Sequence, residues 1–520
     1  MPKVDKVIVT NVAALKAKYR AGYTRINAAV KELIAADRQR GLATRLVPLD
    51  SAVAMKRFKA TPVTDVAACE QNKTAVDQIF RALVPDYLLI LGSVDVIPHQ
   101  DVQNPVYSPG NDDDRLALSD LPYACDAPYS QKPEDFRGPT RVVGRLPDVT
   151  GGDDPAYLTG LLSVAASHKT SPRDEYSRFF GITAAVWKKS TALSLRNTFG
   201  SSAGLQISPA KGPSWTSALL GRRMHFINCH GAQVDAFYYG QQGGNFPKAH
   251  AAAHLDGRAK AGTIVSAECC YGAELYDPNS AQGQAGICNV YLKSKAYGFF
   301  GASTIAYGPS EGNGSADLIC QYFFQLILRG ASLGRAVLEA RQRFAQSATM
   351  LDPIDLKTLM QFNLMGDPAI HPVEPAQHAL NRTKAFRAAI SPQDVPAGRA
   401  FRRSRLVRSG LMIEQSVPAA KKKPGASMPR NVKHILTLAA RDSALKTVAF
   451  SSFGVPEAGT LPRRIGRFRT ASKAGPTLPV SVHLAIGSRS TPKINIRRIV
   501  VLAATVQGGE ILRLRRLHSR

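Results

Sequence analysis

The sequence predicts an α/β protein with mostly parallel sheets: two α/β subdomains, then a basic linker and a small β domain. Three observations predict it. Apolar strand-like runs and amphipathic helix-like stretches alternate through the first 375 residues, the rhythm of βαβ units. Two of the apolar runs stop abruptly, one at His230-Gly231 and the other at Cys269-Cys270. Beyond Pro375 the composition turns basic, and short alternating runs return only near the C-terminus.

The elements follow in order. Residues 6–10 read as a strand. Residues 21–40 place Ile26, Val30, Leu33 and Ile34 on one stripe, so they read as an amphipathic helix that Gly41 caps. A strand at 43–49 and a helix at 74–83 precede the buried strand Tyr87-Leu88-Leu89-Ile90-Leu91 and its turn at Gly92-Ser93. A polar loop over 99–114 carries Asn111-Asp112-Asp113-Asp114, and a strand follows at 141–146. A helix at 156–168 leads into the second unit. Its strands are expected at 179–186, 223–229, 263–268 and 296–305, and its helices at 316–328 and 333–347, with Gly330 as punctuation. The divisions are therefore 1–170, 171–375, a Pro/Ala-rich basic linker at 376–430, and a β domain at 431–520. Strands of that last domain are expected at 434–439, 447–453, 480–486 and 494–505.

Composition narrows the function classes. A chain of 520 residues exceeds one ordinary core, and a hydrophobic fraction of 44% suits a globular protein. No apolar run has the length of a transmembrane helix, and the N-terminal strand is too short for a signal-peptide core, so a cytoplasmic location is expected. Seven scattered cysteines form neither a disulfide framework nor a zinc-site spacing. The net charge is +28, of which residues 376–520 contribute +23 through 28 Lys and Arg against 5 Asp and Glu. That region suits an anionic partner, nucleic acid included, although it shows no zinc-finger, RNP or helix-turn-helix signature.

A buried strand that ends in a reactive residue delivers it to the mouth of a parallel sheet, where α/β proteins bind ligands. One strand bearing His230 and another bearing Cys269 can build a thiolate–imidazole site. Cys269 would attack a carbonyl carbon, and His230 would take the thiol proton and return it to the leaving amine. Gly231 would let its N–H approach the reacting carbonyl, and Gly272 would permit a sharp turn after the nucleophile. Taken singly, a strand-end Cys and a His-Gly pair read as core packing; in this order on successive strand ends they read as a catalytic pair.

The chain resembles the gingipain-type cysteine peptidases, within the caspase, legumain and clostripain group. The likeness rests on the His-Gly and Cys strand ends. It extends to Asp37-Arg38-Gln39-Arg40-Gly41-Leu42-Ala43-Thr44, Leu89-Ile90-Leu91-Gly92-Ser93-Val94-Asp95-Val96-Ile97-Pro98, Ser119-Asp120-Leu121-Pro122-Tyr123, Val143-Gly144-Arg145-Leu146-Pro147, Gly301-Ala302-Ser303-Thr304-Ile305 and Phe362-Asn363-Leu364-Met365-Gly366-Asp367-Pro368. The resemblance implies a caspase-like fold and a thiol protease: an endopeptidase working through a Cys–His dyad and a thioester acyl-enzyme on protein or peptide substrates, without a cofactor. The family's nucleophile has Gly at +3, which selects Cys269 over Cys270, with Cys270 the alternative nucleophile. The implied oxyanion donors are the N–H groups of Gly231 and Cys269, and Trp187 and Tyr307 are the implied substrate-binding residues.

Two family features lack their residues here. The segment matching the acid-bearing stretch of the family, Ile182-Thr183-Ala184-Ala185-Val186-Trp187-Lys188-Lys189, has no acid to orient His230 or to receive a basic substrate side chain. Structural calcium occurs in the family, but Asn111-Asp112-Asp113-Asp114 lacks the ligand spacing of an EF-hand and reads as a solvated acidic loop. Family members are often secreted, against the cytoplasmic expectation. The alternative reading is an inactive peptidase-like scaffold whose basic C-terminal region binds nucleic acid or a protein partner.

Overall fold

The computed structural model describes residues 3–375, 396–422, 427–456, 479–489, 496 and 498–520. The two α/β subdomains are the halves of one ten-stranded sheet. Its strand order is Thr44–Pro48, Lys6–Thr10, Tyr87–Leu91, Val143–Leu146, Phe362–Met365, Gly298–Ala302, Ile264–Ala267, Met224–Asn228, Phe179–Ala184 and Gln206–Ser208. The strand Phe362–Met365 joins the halves. It runs parallel to Val143–Leu146 on one side and antiparallel to Gly298–Ala302 on the other. Each half is therefore parallel within itself, and the two halves point in opposite directions.

The central strands are buried on both faces, which is why Tyr87–Leu91 reads as an unbroken apolar run and Met224–Asn228 is buried at every position, its His and Asn included. The stripe Ile26, Val30 and Leu33 of the helix Tyr23–Gln39 is buried, and Gly41 adopts φ +77° just past its end. Among the described residues, no helix is long and apolar enough to cross a membrane.

The C-terminal region forms a separate antiparallel sheet. Its order is Tyr307–Gly308, Glu510–Ser519, Arg498–Gln507, Val480–Arg489, Lys446–Gly454 and Lys421–Lys422. The stretch expected as a strand at 434–439 is helical, within Arg430–Asp442. Val432, Leu436 and Ala440 recur at helical spacing and bury against Val500, Leu502, Ala504 and Val506. The alternate residues of the same strand, Ile499, Val501 and Ala503, face the other way and pack with Cys270, Ile305 and Tyr307 of the α/β body. The β domain is thus seated directly over the end of the sheet that bears Cys270.

The basic linker is also corrected. Residues 376–395 lie outside the described residues, but Pro396–Ser416 is a helix docked on the N-terminal half. Arg399 pairs with Asp5 and Asp86 at 3.1 and 3.3 Å, and Arg403 pairs with Asp86 at 3.0 Å. Part of the basic charge expected to meet an anionic partner, at Arg399 and Arg403, is therefore engaged inside the molecule.

Candidate active site

Strands Met224–Asn228 and Ile264–Ala267 are parallel neighbours, with Ile227 opposite Ala267. Their C-terminal ends release His230-Gly231 and Cys269-Cys270 side by side. Gly231 is required for this approach: a Cβ there would overlap the carbonyl oxygen of Cys270.

The two cysteines face opposite ways, and the one that lines the cavity is not the one selected from sequence. The Sγ of Cys269 lies 4.0 Å from the carbonyl oxygen of Ile227, and its side chain is fully buried. Burial pushes the Cys269 thiol well above its usual range. Cys270 instead lines a cavity of about 830 Å³ together with Gly231, Gln233, Tyr271, Thr304 and Ile305. Its Sγ accepts the N–H of Ala306 at 3.3 Å, and burial raises its thiol to about 12. The sharp turn that follows falls on Tyr271 at φ +54°, not on Gly272 as expected. Tyr271 is held there by donating its hydroxyl to Asp114 at 2.7 Å.

His230 is oriented by Gln241, a residue sequence reasoning missed. The Gln241 amide donates to the carbonyl of Gly243 at 3.0 Å, which fixes its Oε1 toward His230. That oxygen accepts from Nε2 of His230 at 2.7 Å, so Nε2 carries the proton and Nδ1 holds a lone pair. Nδ1 is buried without a hydrogen-bond partner. Burial drops the imidazole to about 3, and the ring lies against Trp187 with centroids 4.4 Å apart.

The site holds a segment of the chain itself. Strand Glu510–Ser519 pairs antiparallel with Tyr307–Gly308, setting Ser519 opposite Tyr307 and His518 opposite Gly308. Arg520 follows. Its N–H donates to the carbonyl of Ala306 at 2.9 Å, and its own carbonyl oxygen accepts from Gly231 and Cys270 N–H at 3.5 and 3.4 Å. The N–H that joins Gly231 at this oxygen is that of Cys270, where Cys269 was expected.

The Arg520 side chain fills a recess. Its guanidinium donates to Asp317 at 2.7 Å and to the carbonyl of Pro309 at 2.9 Å, and it approaches Glu268 to 4.0 Å. It stacks on Trp187 at 4.5 Å. Gly308 forms the wall, since a Cβ there would overlap the guanidinium. The carboxylates beside the guanidinium thus come from outside residues 182–189, from Asp317 and Glu268, while the neutral Gln241 stands at His230 where an acid was expected. Burial raises both carboxyls; the charge of Asp317 pushes Glu268 up further, whereas Arg520 and a hydrogen bond from Glu268 oppose the rise at Asp317.

Of the implied substrate residues, Trp187 packs between His230 and Arg520, while Tyr307 pairs through its backbone and donates its hydroxyl to Asp112 at 2.8 Å. The acidic loop is not solvated as expected: Asp112 is buried and pairs with Lys357 at 2.5 Å. Among the described residues, no cluster of His, Cys, Asp and Glu is arranged to hold a metal ion.

Beneath the site runs a directional hydrogen-bond chain. Trp215 donates to Nδ1 of His250 at 3.1 Å, Nε2 of His250 donates to the hydroxyl of Tyr291 at 3.0 Å, Tyr291 donates to Nδ1 of His225 at 2.8 Å, and Nε2 of His225 donates to the carbonyl of Arg222 at 2.8 Å. Every donor finds an acceptor only while both imidazoles are neutral.

No curated protein matches the chain in sequence. A solved structure described as "Structure of Protease" aligns over 100% of this chain and 98% of its own, with a TM-score of 0.47 and 11% identity. Residues 228–373, which hold His230, both cysteines and Asp317, match the model of Peptidase family C25, so the likeness to the gingipain-type cysteine peptidases holds across the segment that builds this site.

Proposed function

We propose that the chain is a cysteine endopeptidase that cleaves peptide bonds after arginine, with Cys270 as nucleophile and His230 as general base. The observation that carries this reading is the seat of Arg520: its carbonyl faces two convergent N–H donors while its guanidinium lies against Asp317 and Trp187. A substrate would add as a short antiparallel strand to Tyr307–Gly308 and send its arginine into the same recess.

The chemistry follows from the groups present. With the site filled, the thiol of Cys270 and the imidazole of His230 are both neutral, so the proton must move during attack rather than before it. Nδ1 of His230 takes the thiol proton as Sγ bonds to the carbonyl carbon. The oxyanion forms where the oxygen of Arg520 lies, against the N–H groups of Gly231 and Cys270. Collapse breaks the C–N bond, His230 returns the proton to the leaving amine, and a thioester remains. Water, deprotonated by the same imidazole, then releases the acid and regenerates the thiol. The cavity beside Cys270, bounded by Gln233, Val234 and Tyr271, lies where residues after the cut bond would leave.

Hydrolysis of a peptide library with varied residues before the cut bond tests this. Cleavage is expected after arginine and is expected to vanish in Cys270→Ala. Cleavage after other residues, or full activity of Cys270→Ala, would overturn it.

A further inference from the structure

We infer that residues 518–520 are a built-in occupant of the peptide cleft, which keeps the site closed until the end of the C-terminal strand lifts away. This rests on reading the cleft as a peptidase site. Three features support it independently of the arginine recess. The backbone of Ser519 and His518 satisfies the strand Tyr307–Gly308, which a substrate would need for itself. The side chain of Ser519 is held too, accepting the N–H of Ile499 at 2.9 Å. The root of the strand is anchored: Arg515 pairs with Asp352 and Asp355 at 2.5 and 2.8 Å and donates to Ser315 at 2.8 Å.

The anchor and the recess divide the labour. Arg515 fixes the strand on the α/β body, while Arg520 reaches past it into the cleft. Because the occupant is tethered, it acts at an effective concentration on the order of millimolar, and any substrate below that level meets a filled site. Lifting residues 518–520 breaks the pairing with Tyr307–Gly308, the contacts of Arg520 and the last contacts with Val500 and Ile499, but leaves the strand before residue 518 paired with its neighbour in the β domain.

The test reads exposure of Cys270 rather than turnover. The full chain, Arg520→Ala and a chain lacking residues 518–520 are treated with iodoacetamide, and modification of each cysteine is followed by mass spectrometry. Cys270 is expected to react at least about tenfold faster in both altered chains, with Cys269 unchanged and thermal melting showing that each is folded. A synthetic peptide of residues 511–520 is expected to restore protection to the shortened chain. Equal Cys270 rates in all three chains, or no protection by the peptide, would overturn the inference. Hydrolysis of an arginyl peptide amide is measured in parallel. Fast alkylation without hydrolysis would sink the peptidase reading while leaving residues 518–520 as the plug, whereas hydrolysis with unchanged alkylation would do the reverse.

Discussion

Asp317 and Arg520 are 203 residues apart in the chain and 2.7 Å apart in the fold. The contact joins the first turn of the helix Ala316–Ile327 to the end of the β domain, and both side chains are buried. A buried pair of this kind is weak evidence for stability, because desolvation offsets much of the attraction. Here it marks the recess on which the proposed preference for arginine rests.

Selectivity should therefore fail when Asp317 loses its charge. In Asp317→Asn, cleavage after arginine relative to an uncharged isostere such as citrulline is expected to fall by roughly 10- to 100-fold, the equivalent of one charge-assisted hydrogen bond. Steady-state kinetics on the paired peptides measure it, and an unchanged ratio would remove Asp317 from specificity.

The adjacent cysteines should separate cleanly. Cys270→Ala is expected to abolish both hydrolysis and labelling by an arginyl thiol-reactive probe. Cys269→Ala is expected to keep activity and to lose about 1 kcal/mol of stability, as for removal of one buried atom from a packed core. Denaturant unfolding and probe labelling read the two effects, and the opposite pattern would return the nucleophile to Cys269.

Gln241 should set the acid limb of the pH–rate profile. It holds Nε2 of His230 with a neutral oxygen, and burial keeps the imidazole near 3. In Gln241→Glu a carboxylate replaces that oxygen and favours the imidazolium, so the His230 value rises. The neutral base is then lost at higher pH on acidification, and the acid limb of kcat/KM is expected to move upward. An unmoved limb would show that His230 is not the base.

The chain through Tyr291 should respond to pH in a defined direction. Burial lowers His225 to about 4 and His250 to about 3, below the ordinary 6.5. Between those values and 6.5 the unfolded chain binds more protons than the folded one, so this stabilisation is complete above pH 6.5 and is lost as pH falls. The slope is about 1.4 kcal/mol per pH unit for each histidine. Urea unfolding at pH 7 and pH 5 should show a shallower dependence in His250→Gln than in the parent. Tyr291→Phe leaves the N–H of His250 without its acceptor and is expected to cost about 1–3 kcal/mol at either pH.

The strands that position the site were legible because a sheet covered on both faces demands mostly apolar strands, and 223–229 and 263–268 carry the pairs Phe226-Ile227 and Ile264-Val265 at their centres. Alternation along an extended chain also showed that only one of Cys269 and Cys270 can serve. Spacing to Gly272 then favoured Cys269, whereas the turn is taken by Tyr271 and Cys270 lines the cavity. Glu268, two residues before Cys270, was the available signal: an acid in an apolar run that shares the extended-chain face of Cys270. Asp317 gave no such signal, since an acid in the first turn of a helix is ordinary. The helix Arg430–Asp442 was misread because residues 434–439 omit Val432 and Ala440, which reveal its period. Arg520 stayed hidden because it ends a run of arginines that reads as a solvated face.

A peptidase that binds substrates by adding them as strands must keep a row of backbone donors and acceptors free for the purpose. Such an open sheet edge is also a template on which other molecules can associate. By laying its own residues along Tyr307–Gly308, the chain withdraws that template from neighbouring copies. The inferred plug would thereby also cover an edge on which a second copy could otherwise pair.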